Sequence, residues 1–237
     1  TSSSMAGPRI HRLKQAFIQD FLPYIPQGTR LHIFTFDQGL QVRKDFDLKS
    51  GDDVTTIASF LNDLKATGPA TYAWRSLKEV LDIGKGNYIG TAANSQFFMY
   101  TDGEDNERGR NKVSVEDVLA AFDGVKKVSN DQAGLKIFTL GFKIKGEDQD
   151  KLKRGGAVVR DTPDNQPLPV PGMVAFTWWP TRPLCATPVK FLNQSIPKPR
   201  VESSEWTFGD GLSAKGSEPE HVFATAGTYQ VVLKVAD

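Results

Sequence analysis

The sequence predicts a doubly wound α/β domain with a mostly parallel sheet, followed by a small all-β sandwich. Through the first two thirds of the chain, strand patterns alternate with amphipathic helical patterns, which is typical of a sheet covered by helices. Two of these strands contain continuous apolar runs, as expected for strands buried on both faces. Near residue 162 the helical period stops, and prolines and short turn-bounded strands follow. We therefore place the first domain at 1–165, a proline-rich linker at 166–172 and the second domain at 173–237.

Apolar periodicity and capping residues predict the helices of the first domain. Pro8 suits the first turn of the first helix. Asp52 is a candidate cap of the second helix, and Ser114 with Asp117 forms a start signal for the last long one. The predicted helices span 8–22, 52–64, 71–83 and 114–128, with one or two further turns over EDQDKLKRG.

Branched and aromatic residues predict the strands of the first domain. TRLHIFTF at 29–36 alternates, and LQVRKDFDL at 40–48 follows it across a short turn. SQFFMYT at 95–101 and GLKIFTLGF at 134–142 have the pattern of buried strands, and AVVR is a weak final strand. Ligands of doubly wound sheets bind beyond the carboxyl ends of the strands, so we expect any site at that edge.

The second domain has the pattern of an antiparallel β-sandwich. Trp206 and Phe208 alternate with a threonine, so both aromatic side chains are predicted to face the sandwich interior. The sequence Gly209-Asp210-Gly211 supplies the residues that a tight turn with positive φ needs. We expect Trp178 and Trp179 on opposite faces of one strand, with one indole in the core. The predicted strands lie in MVAFTWW, PVKFLN, SEWTF, EHVFA and TYQVVLKV.

Composition and charge exclude several classes of function. The 237 residues include 29 Lys and Arg against 28 Asp and Glu, a net charge of +1. That balance lacks the basic surplus of a nucleic-acid-binding protein, so we expect no nucleic-acid partner. The single cysteine, Cys185, allows no internal disulfide and no cysteine-based zinc site. The chain does not begin with methionine, so the absence of a signal peptide carries no conclusion.

Three separate segments place oxygen donors where a strand ends or a helix begins. They are TSSS before the first helix, GPAT before the helix at 71, and TDGED after the strand at 95. In a doubly wound sheet all three segments meet at the carboxyl edge. Hydroxyl groups together with a carboxylate and water suit Mg²⁺ or Mn²⁺ in an octahedral site.

At these segments the first domain resembles a von Willebrand factor type A domain. That family carries a metal-ion-dependent adhesion site built from Asp-x-Ser-x-Ser, a distant threonine and a distant aspartate. Ser2 and Ser4 match the two serines, Thr71 matches the threonine, and Asp102 in FFMYTDGED matches the later aspartate. The resemblance implies a bound Mg²⁺, or Mn²⁺ or Ca²⁺, and a protein partner that supplies an acidic side chain to it.

The chain departs from this family at its beginning. The first aspartate of the motif would precede Thr1, and the first strand of the family, normally central in the sheet, is absent with it. We expect that residues upstream of Thr1 have been removed, and that the sheet lacks its middle strand. The missing aspartate bears on whether the site holds its metal.

The loop that follows Asp102 supplies the expected rim of the site. Glu104 and Asp105 are predicted to lie on this rim, and Asp102 itself on a surface edge. Arg108 and Arg110 in NERGRNK are candidates for contact with an acidic partner, although a solvated loop explains them as well.

The second domain resembles a PKD-type repeat, the immunoglobulin-like module first named for polycystic kidney disease. EWTFGDG and the later PEHVFATAGTYQVVLKVAD carry the resemblance, which extends upstream through AFTWWPTRPLCATPVKFLNQS. Such repeats mostly occur outside the cell, which implies an extracellular, cell-surface or periplasmic location. The resemblance further implies a spacer or a secondary adhesion module.

The sequence therefore predicts a non-catalytic adhesion protein that binds its partner through a divalent cation. No nucleophile with an adjacent base is evident in the sequence pattern. Two alternatives remain open at this point. One is a structural stalk protein with a vestigial metal site, and the other is a metal-dependent phosphoester hydrolase.

Overall fold

A computed structural model describes residues 3–87, 95–103, 105–129, 133–164, 176–195 and 203–236, together with 166, 168, 172 and 174. The chain divides into two compact units. The first comprises 1–18 and 30–169, and the second comprises 19–29 and 170–237. Most of the predicted linker at 166–172 lies outside the described residues, so the predicted domain boundaries stay a prediction.

The strands of the first unit form two sheets. β1 (Arg30–Phe36) and β2 (Leu40–Asp47) form an antiparallel hairpin. β3 (Ser95–Thr101), β4 (Ala133–Leu140) and β5 (Val158–Thr162) form a parallel sheet in that order. Within the described residues no hydrogen-bonded ladder joins the two sheets.

Among the described residues of this unit, five α-helices accompany these strands. They are α1 (Pro8–Gln15), α2 (Gly51–Asp63), α3 (Ala73–Asn87), α4 (Val115–Val128) and α5 (Gly146–Arg154). The helix predicted at 8–22 is not uniform, because a π-helical segment (Ala16–Phe21) and a 3₁₀ turn (Leu22–Tyr24) follow α1. The alternation of strands and helices confirms the α/β class of this part of the chain.

Capping residues set the starts of two helices. Ser114 precedes α4 as predicted: the Asp117 N–H donates to its hydroxyl at 3.2 Å, and the Ser114 N–H donates to the Asp117 carboxylate at 2.8 Å. The predicted cap of α2, Asp52, is wrong. The helix begins at Gly51, one residue earlier than predicted, so Ser50 is the N-cap. The Ser50 N–H donates to the Asp53 carboxylate at 2.8 Å.

The core of the first unit lies between α3, α4 and the parallel sheet. Buried aliphatic and aromatic side chains from these elements pack into one cluster, which includes Leu77, Leu81, Met99, Val118, Phe122, Val125, Leu135 and Ile137. β4 is the central strand of the three-stranded sheet, and its last four residues are all buried, so both of its faces are covered there as predicted. The core therefore holds the carboxyl ends of β3 and β4 in place.

The second unit contains two three-stranded antiparallel sheets, as predicted for an immunoglobulin-like sandwich. One sheet has the order β10-β7-β6 and the other β11-β8-β9. The strands are β6 (Phe176–Trp179), β7 (Pro188–Asn193), β8 (Ser203–Thr207), β9 (Ser213–Lys215), β10 (Glu220–Val222) and β11 (Val232–Ala236). β9 is not among the strands that the sequence predicts.

Aromatic side chains fill the interior of the sandwich. Trp206 and Phe208 are fully buried and pack with Val189, Phe191 and Leu233, which confirms their predicted direction. The indole N–H of Trp206 donates to the Gly216 carbonyl at 2.8 Å, so its one polar group is satisfied.

The prediction for the paired tryptophans is wrong. Trp178 is 45% exposed and Trp179 is 74% exposed, so neither indole lies in the core. Trp178 shares a face with Phe176, whose ring contacts the buried ring of Trp206. Side chains therefore still alternate between the two faces of the strand, but the core ends at Phe176, two residues before Trp178.

The tryptophans of the second unit provide a matched test of this packing. Trp206→Ala should destabilise the unit by about 3–5 kcal/mol, because it removes a fully buried ring and leaves a cavity. Trp179→Ala should change stability by less than about 0.5 kcal/mol. Scanning calorimetry of both variants measures the effect. Equal losses from the two would contradict the assigned core.

Candidate functional site

The threonine and the aspartate of the predicted site come from segments that lie side by side. The Thr71 N–H donates to Asn106 Oδ1 at 3.0 Å, and the Asn106 N–H donates to the Thr71 carbonyl at 2.9 Å. Thr71 Oγ1 lies 3.3 Å from the point where a Cβ on Gly103 would stand. A larger residue at 103 would push the threonine away. The hydroxyl of Thr71 is thus packed against the direct neighbour of Asp102.

Asp102 directly follows β3 and has a buried side chain. Its carboxylate is only 1% exposed, and Arg9 Nη1 lies 3.3 Å from Oδ2. The burial of Asp102 corrects the expectation that it lies on a surface edge. On that expectation, removal of the carboxylate would have left the fold unaffected. A carboxylate at this depth requires a positively charged or hydrogen-bonding neighbour, and the guanidinium of Arg9 provides one.

The serine segment lies next to the residues that lead to Thr71. Ser2 and the side chain of Ser4 lie outside the described residues, so their predicted role as ligands stays a prediction. The Ser3 N–H donates to the Gly68 carbonyl at 2.7 Å. Met5 is buried with Leu140, which anchors the segment near the end of β4. The backbone of the three predicted donor segments is therefore gathered at one edge.

A second carboxylate at this edge was missed by the sequence analysis. Asp37 follows β1, and its carbonyl accepts a hydrogen bond from the Tyr72 N–H at 2.6 Å. Its Oδ2 lies 2.6 Å from the point where a Cβ on Gly68 would stand, so only glycine fits at position 68. Gln41 donates to the same carboxylate. An aspartate directly after a strand, as in FTFDQG, is the signal that would have revealed it.

Asp105 points inward rather than to the rim. The Trp74 N–H donates to Oδ1 at 3.4 Å, and Lys112 Nζ lies 3.1 Å from Oδ2 as an ion pair without a well-directed hydrogen bond. The carboxylate therefore faces the first turn of α3, where the helix dipole favours negative charge. Burial raises the pKa of Asp105, and the charge of Lys112 opposes this only in part.

The two arginines of the predicted rim are exposed. Arg108 and Arg110 lie on a loop that is fastened to α3 through Arg75. Arg75 Nε donates to Glu107 Oε1 at 2.7 Å, and Arg75 Nη2 donates to the Asn111 carbonyl at 2.7 Å. The contacts of Arg75 thus hold the loop that carries Arg108 and Arg110 against α3. Glu104, the remaining rim residue of the prediction, lies outside the described residues.

Thr71 and Asp102 provide the kind of oxygen ligands that Mg²⁺ prefers. Thr71 contributes a hydroxyl and Asp102 a carboxylate, both hard oxygen donors. The contact with Arg9 places a cationic group directly at the Asp102 carboxylate. Among the described residues, no group of three or more His, Cys, Asp or Glu side chains could hold a metal ion. The predicted site consists of three hydroxyl groups and one carboxylate, so it does not require three or more His, Cys, Asp or Glu side chains.

Comparison with known proteins covers both parts of the chain. Residues 185–237 match the family model of the PKD domain. The matched residues lie within the second unit. The chain is also similar in structure to a solved protein described as von Willebrand factor type A from Catenulispora acidiphila, with a TM-score of 0.52 and 13% sequence identity.

That structural match covers 91% of this chain and 48% of the other protein, so the chain spans about half of that protein's length. At this identity the likeness establishes the fold alone. A von Willebrand A fold followed by a PKD domain is the arrangement that the sequence motifs predicted.

The buried carboxylate of Asp105 has a defined effect on stability. Because its pKa is raised by burial, the folded protein binds a proton more tightly than the unfolded chain does. The ionised form therefore costs stability at neutral pH, and this cost disappears as the pH falls below the unfolded pKa. Asp105→Asn should be at least as stable as the unchanged protein at neutral pH.

This advantage should shrink as the pH is lowered through the range in which Asp105 takes up its proton. Denaturation by urea at several pH values measures it. Asp123→Asn, which removes an exposed carboxylate paired with Lys126, is the control and should change stability by less than about 0.5 kcal/mol. A constant difference between Asp105→Asn and the unchanged protein at all pH values would contradict the assignment.

Proposed function

We propose that the chain is a non-catalytic adhesion module that binds a protein partner through a divalent cation. The combination of a von Willebrand A fold and a PKD domain supports an adhesion or protein-interaction role. The observation that carries the proposal is the exchange of hydrogen bonds between Thr71 and Asn106. It brings a hydroxyl and the end of β3, where Asp102 stands, to one place from distant parts of the sequence.

Thr71 and Asp102, with Ser2 and Ser4, are the residues that would hold the cation. Asp102 contributes the negative charge, and the hydroxyl groups contribute neutral donors that leave net positive charge at the site. When bound, Mg²⁺ supplies a coordination position that the carboxylate of a partner can fill. Gly103 and Gly68 keep the surrounding backbone close enough for the donors to stand together.

The exposed arginines support an acidic partner. Arg108 and Arg110 add positive charge beside the loop that follows Asp102. Charges of this kind at the rim accelerate encounter with an oppositely charged surface and contribute less to the final affinity. The proposed partner is therefore a protein that presents an aspartate or glutamate within a largely acidic surface.

For the PKD domain we propose the role of a spacer or of a second adhesion module. Its aromatic residues are mostly occupied in its own core, as the burial of Trp206 and Phe208 indicates. Domains of both types are typically non-catalytic and typical of extracellular proteins, so we propose an extracellular, cell-surface or periplasmic location. In the part of the chain that the structure describes, no helix has the length and apolar character needed to cross a membrane.

Capture by peptides tests the proposal directly. Peptides that carry one Asp or Glu are immobilised beside matched peptides that carry Asn or Gln, and binding of the chain is measured with Mg²⁺ and with EDTA. We expect capture only by the acidic peptides and only with Mg²⁺. Capture that persists in EDTA, or that is equal for the amide peptides, would leave the spacer role as the better account.

Substitution at the site sharpens this test. Asp102→Asn should reduce capture at least about tenfold, because it removes the one charged donor while keeping the side-chain volume. Thr71→Ala should reduce it less, since a neutral donor is lost. Asp82→Asn, which removes an exposed carboxylate paired with Lys78 on α3, is the control and should bind normally. Thermal melts of all three variants separate loss of binding from loss of fold.

A further inference from the structure

Arg9 lies between two carboxylates that differ in exposure. Its Nη1 is 3.3 Å from the buried Oδ2 of Asp102. Its Nε and Nη2 donate to the two oxygens of Asp164 at 3.1 and 2.8 Å. Asp164 is 53% exposed, whereas the Asp102 side chain is 1% exposed. The guanidinium is thus held by a two-pronged contact with the outer carboxylate and by a single, longer contact with the inner one.

The position of Arg9 in its helix is electrostatically unfavourable. It is the second residue of α1, and the first turn of that helix contains no acidic residue. The dipole of a helix disfavours positive charge in its first turn. The two carboxylates therefore have to offset this cost, and the contact with Asp102 is part of that compensation.

We propose that Arg9 is an intramolecular counter-cation of Asp102 that competes with the divalent cation for its carboxylate. The proposal rests on the proposed function, since it concerns the regulation of the same site. In the arrangement described here, Arg9 neutralises Asp102. Cation binding requires the guanidinium to give up its contact with Asp102 and to remain with Asp164 alone.

The geometry makes this exchange a small movement. Asp164 already holds Arg9 through two hydrogen bonds, a bidentate arrangement that keeps the guanidinium in place when its third contact is lost. If Arg9 instead stayed at Oδ2 while the cation took Oδ1, two positive charges would share one buried carboxylate. Repulsion at that distance lowers cation affinity as well. In both cases the charge of Arg9 weakens binding.

Removal of that charge is the first test. Arg9→Gln should bind Mg²⁺ about tenfold more tightly than the unchanged chain in calorimetric titration, because one unit of competing charge is lost at a partly buried site. Arg12→Gln is the matched control. Arg12 lies on the same helix and donates to the carbonyls of Asp164 and Gln166, not to Asp102, so its removal should change the affinity less than about twofold.

A second measurement does not depend on the binding isotherm. Without metal, Arg9→Gln should melt at a lower temperature than the unchanged protein, because the Asp102 carboxylate loses its counter-charge. Added Mg²⁺ should then raise the melting temperature more in Arg9→Gln than in the unchanged protein. Arg12→Gln should show the ordinary Mg²⁺ response.

A substitution at an exposed residue keeps the proposal testable if Arg9→Gln fails to fold. Asp164→Asn removes the outer partner of Arg9, so Mg²⁺ affinity should fall as Arg9 loses its alternative contact. Where Arg9→Gln does fold, the same substitution in that background should have a smaller effect, and a double-mutant cycle measures this coupling.

The outcomes separate this inference from the proposed function. Equal Mg²⁺ affinity in the unchanged chain and in folded Arg9→Gln would overturn the competition but leave the metal site in place. Weaker binding in Arg9→Gln would overturn it too, since Arg9 would then support Asp102 rather than compete for it. Absence of Mg²⁺ binding in both proteins would overturn the inference together with the proposed function.

Discussion

The buried carboxylate of Asp102 is the constraint on which the arrangement of the first unit depends. Burying an ionised carboxylate is costly unless a positive charge or several hydrogen bonds compensate for it. Arg9 provides that charge, and it also binds Asp164, a residue 155 positions away in the sequence. One side chain thus ties the start of α1 to the ends of β3 and β5. This pairing helps to hold α1 beside the carboxyl ends of these strands.

Backbone hydrogen bonds and two glycines then bring the remaining donors to the same edge. Thr71 is fixed by Asn106, and the segment before it is fixed by Ser3 at Gly68. Gly68 and Gly103 have no side chain, so Asp37 and Thr71 can approach the backbone closely. The glycines therefore set how closely the oxygen atoms of Asp37 and Thr71 approach the neighbouring backbone. The parallel sheet determines which segments lie next to each other.

Much of this arrangement could be predicted from the sequence. Periodicity gave the order of strands and helices, and the positions of Thr71 and Asp102 beside a strand end and a helix start indicated a shared edge. The inward direction of Asp105 and the pairing of Arg9 could not be predicted. Both depend on where one element lies relative to another, and hydrophobic periodicity carries no information about that distance. The exposure of Trp178 was missed for a related reason, since alternation gives the face of a strand but not where the core ends.

Each unit holds an aspartate against a side-chain partner: Asp102 directly after β3 and Asp210 in the turn after β8. The two partners differ in how firmly they are held. Asp210 in the second unit accepts a hydrogen bond from the Leu212 N–H at 3.0 Å, and its Oδ2 lies 2.6 Å from Nε2 of His221. The ring of His221 is stacked on the buried ring of Phe208 with centroids 3.9 Å apart, so this partner cannot leave without disturbing the aromatic core. Burial alone would raise the pKa of Asp210, but these hydrogen bonds lower it. Arg9 is also held by Asp164, so under the proposed competition it would release Asp102 while the core stays packed. On that proposal Asp102 would be the aspartate that takes a cation, and Asp210 would stay structural.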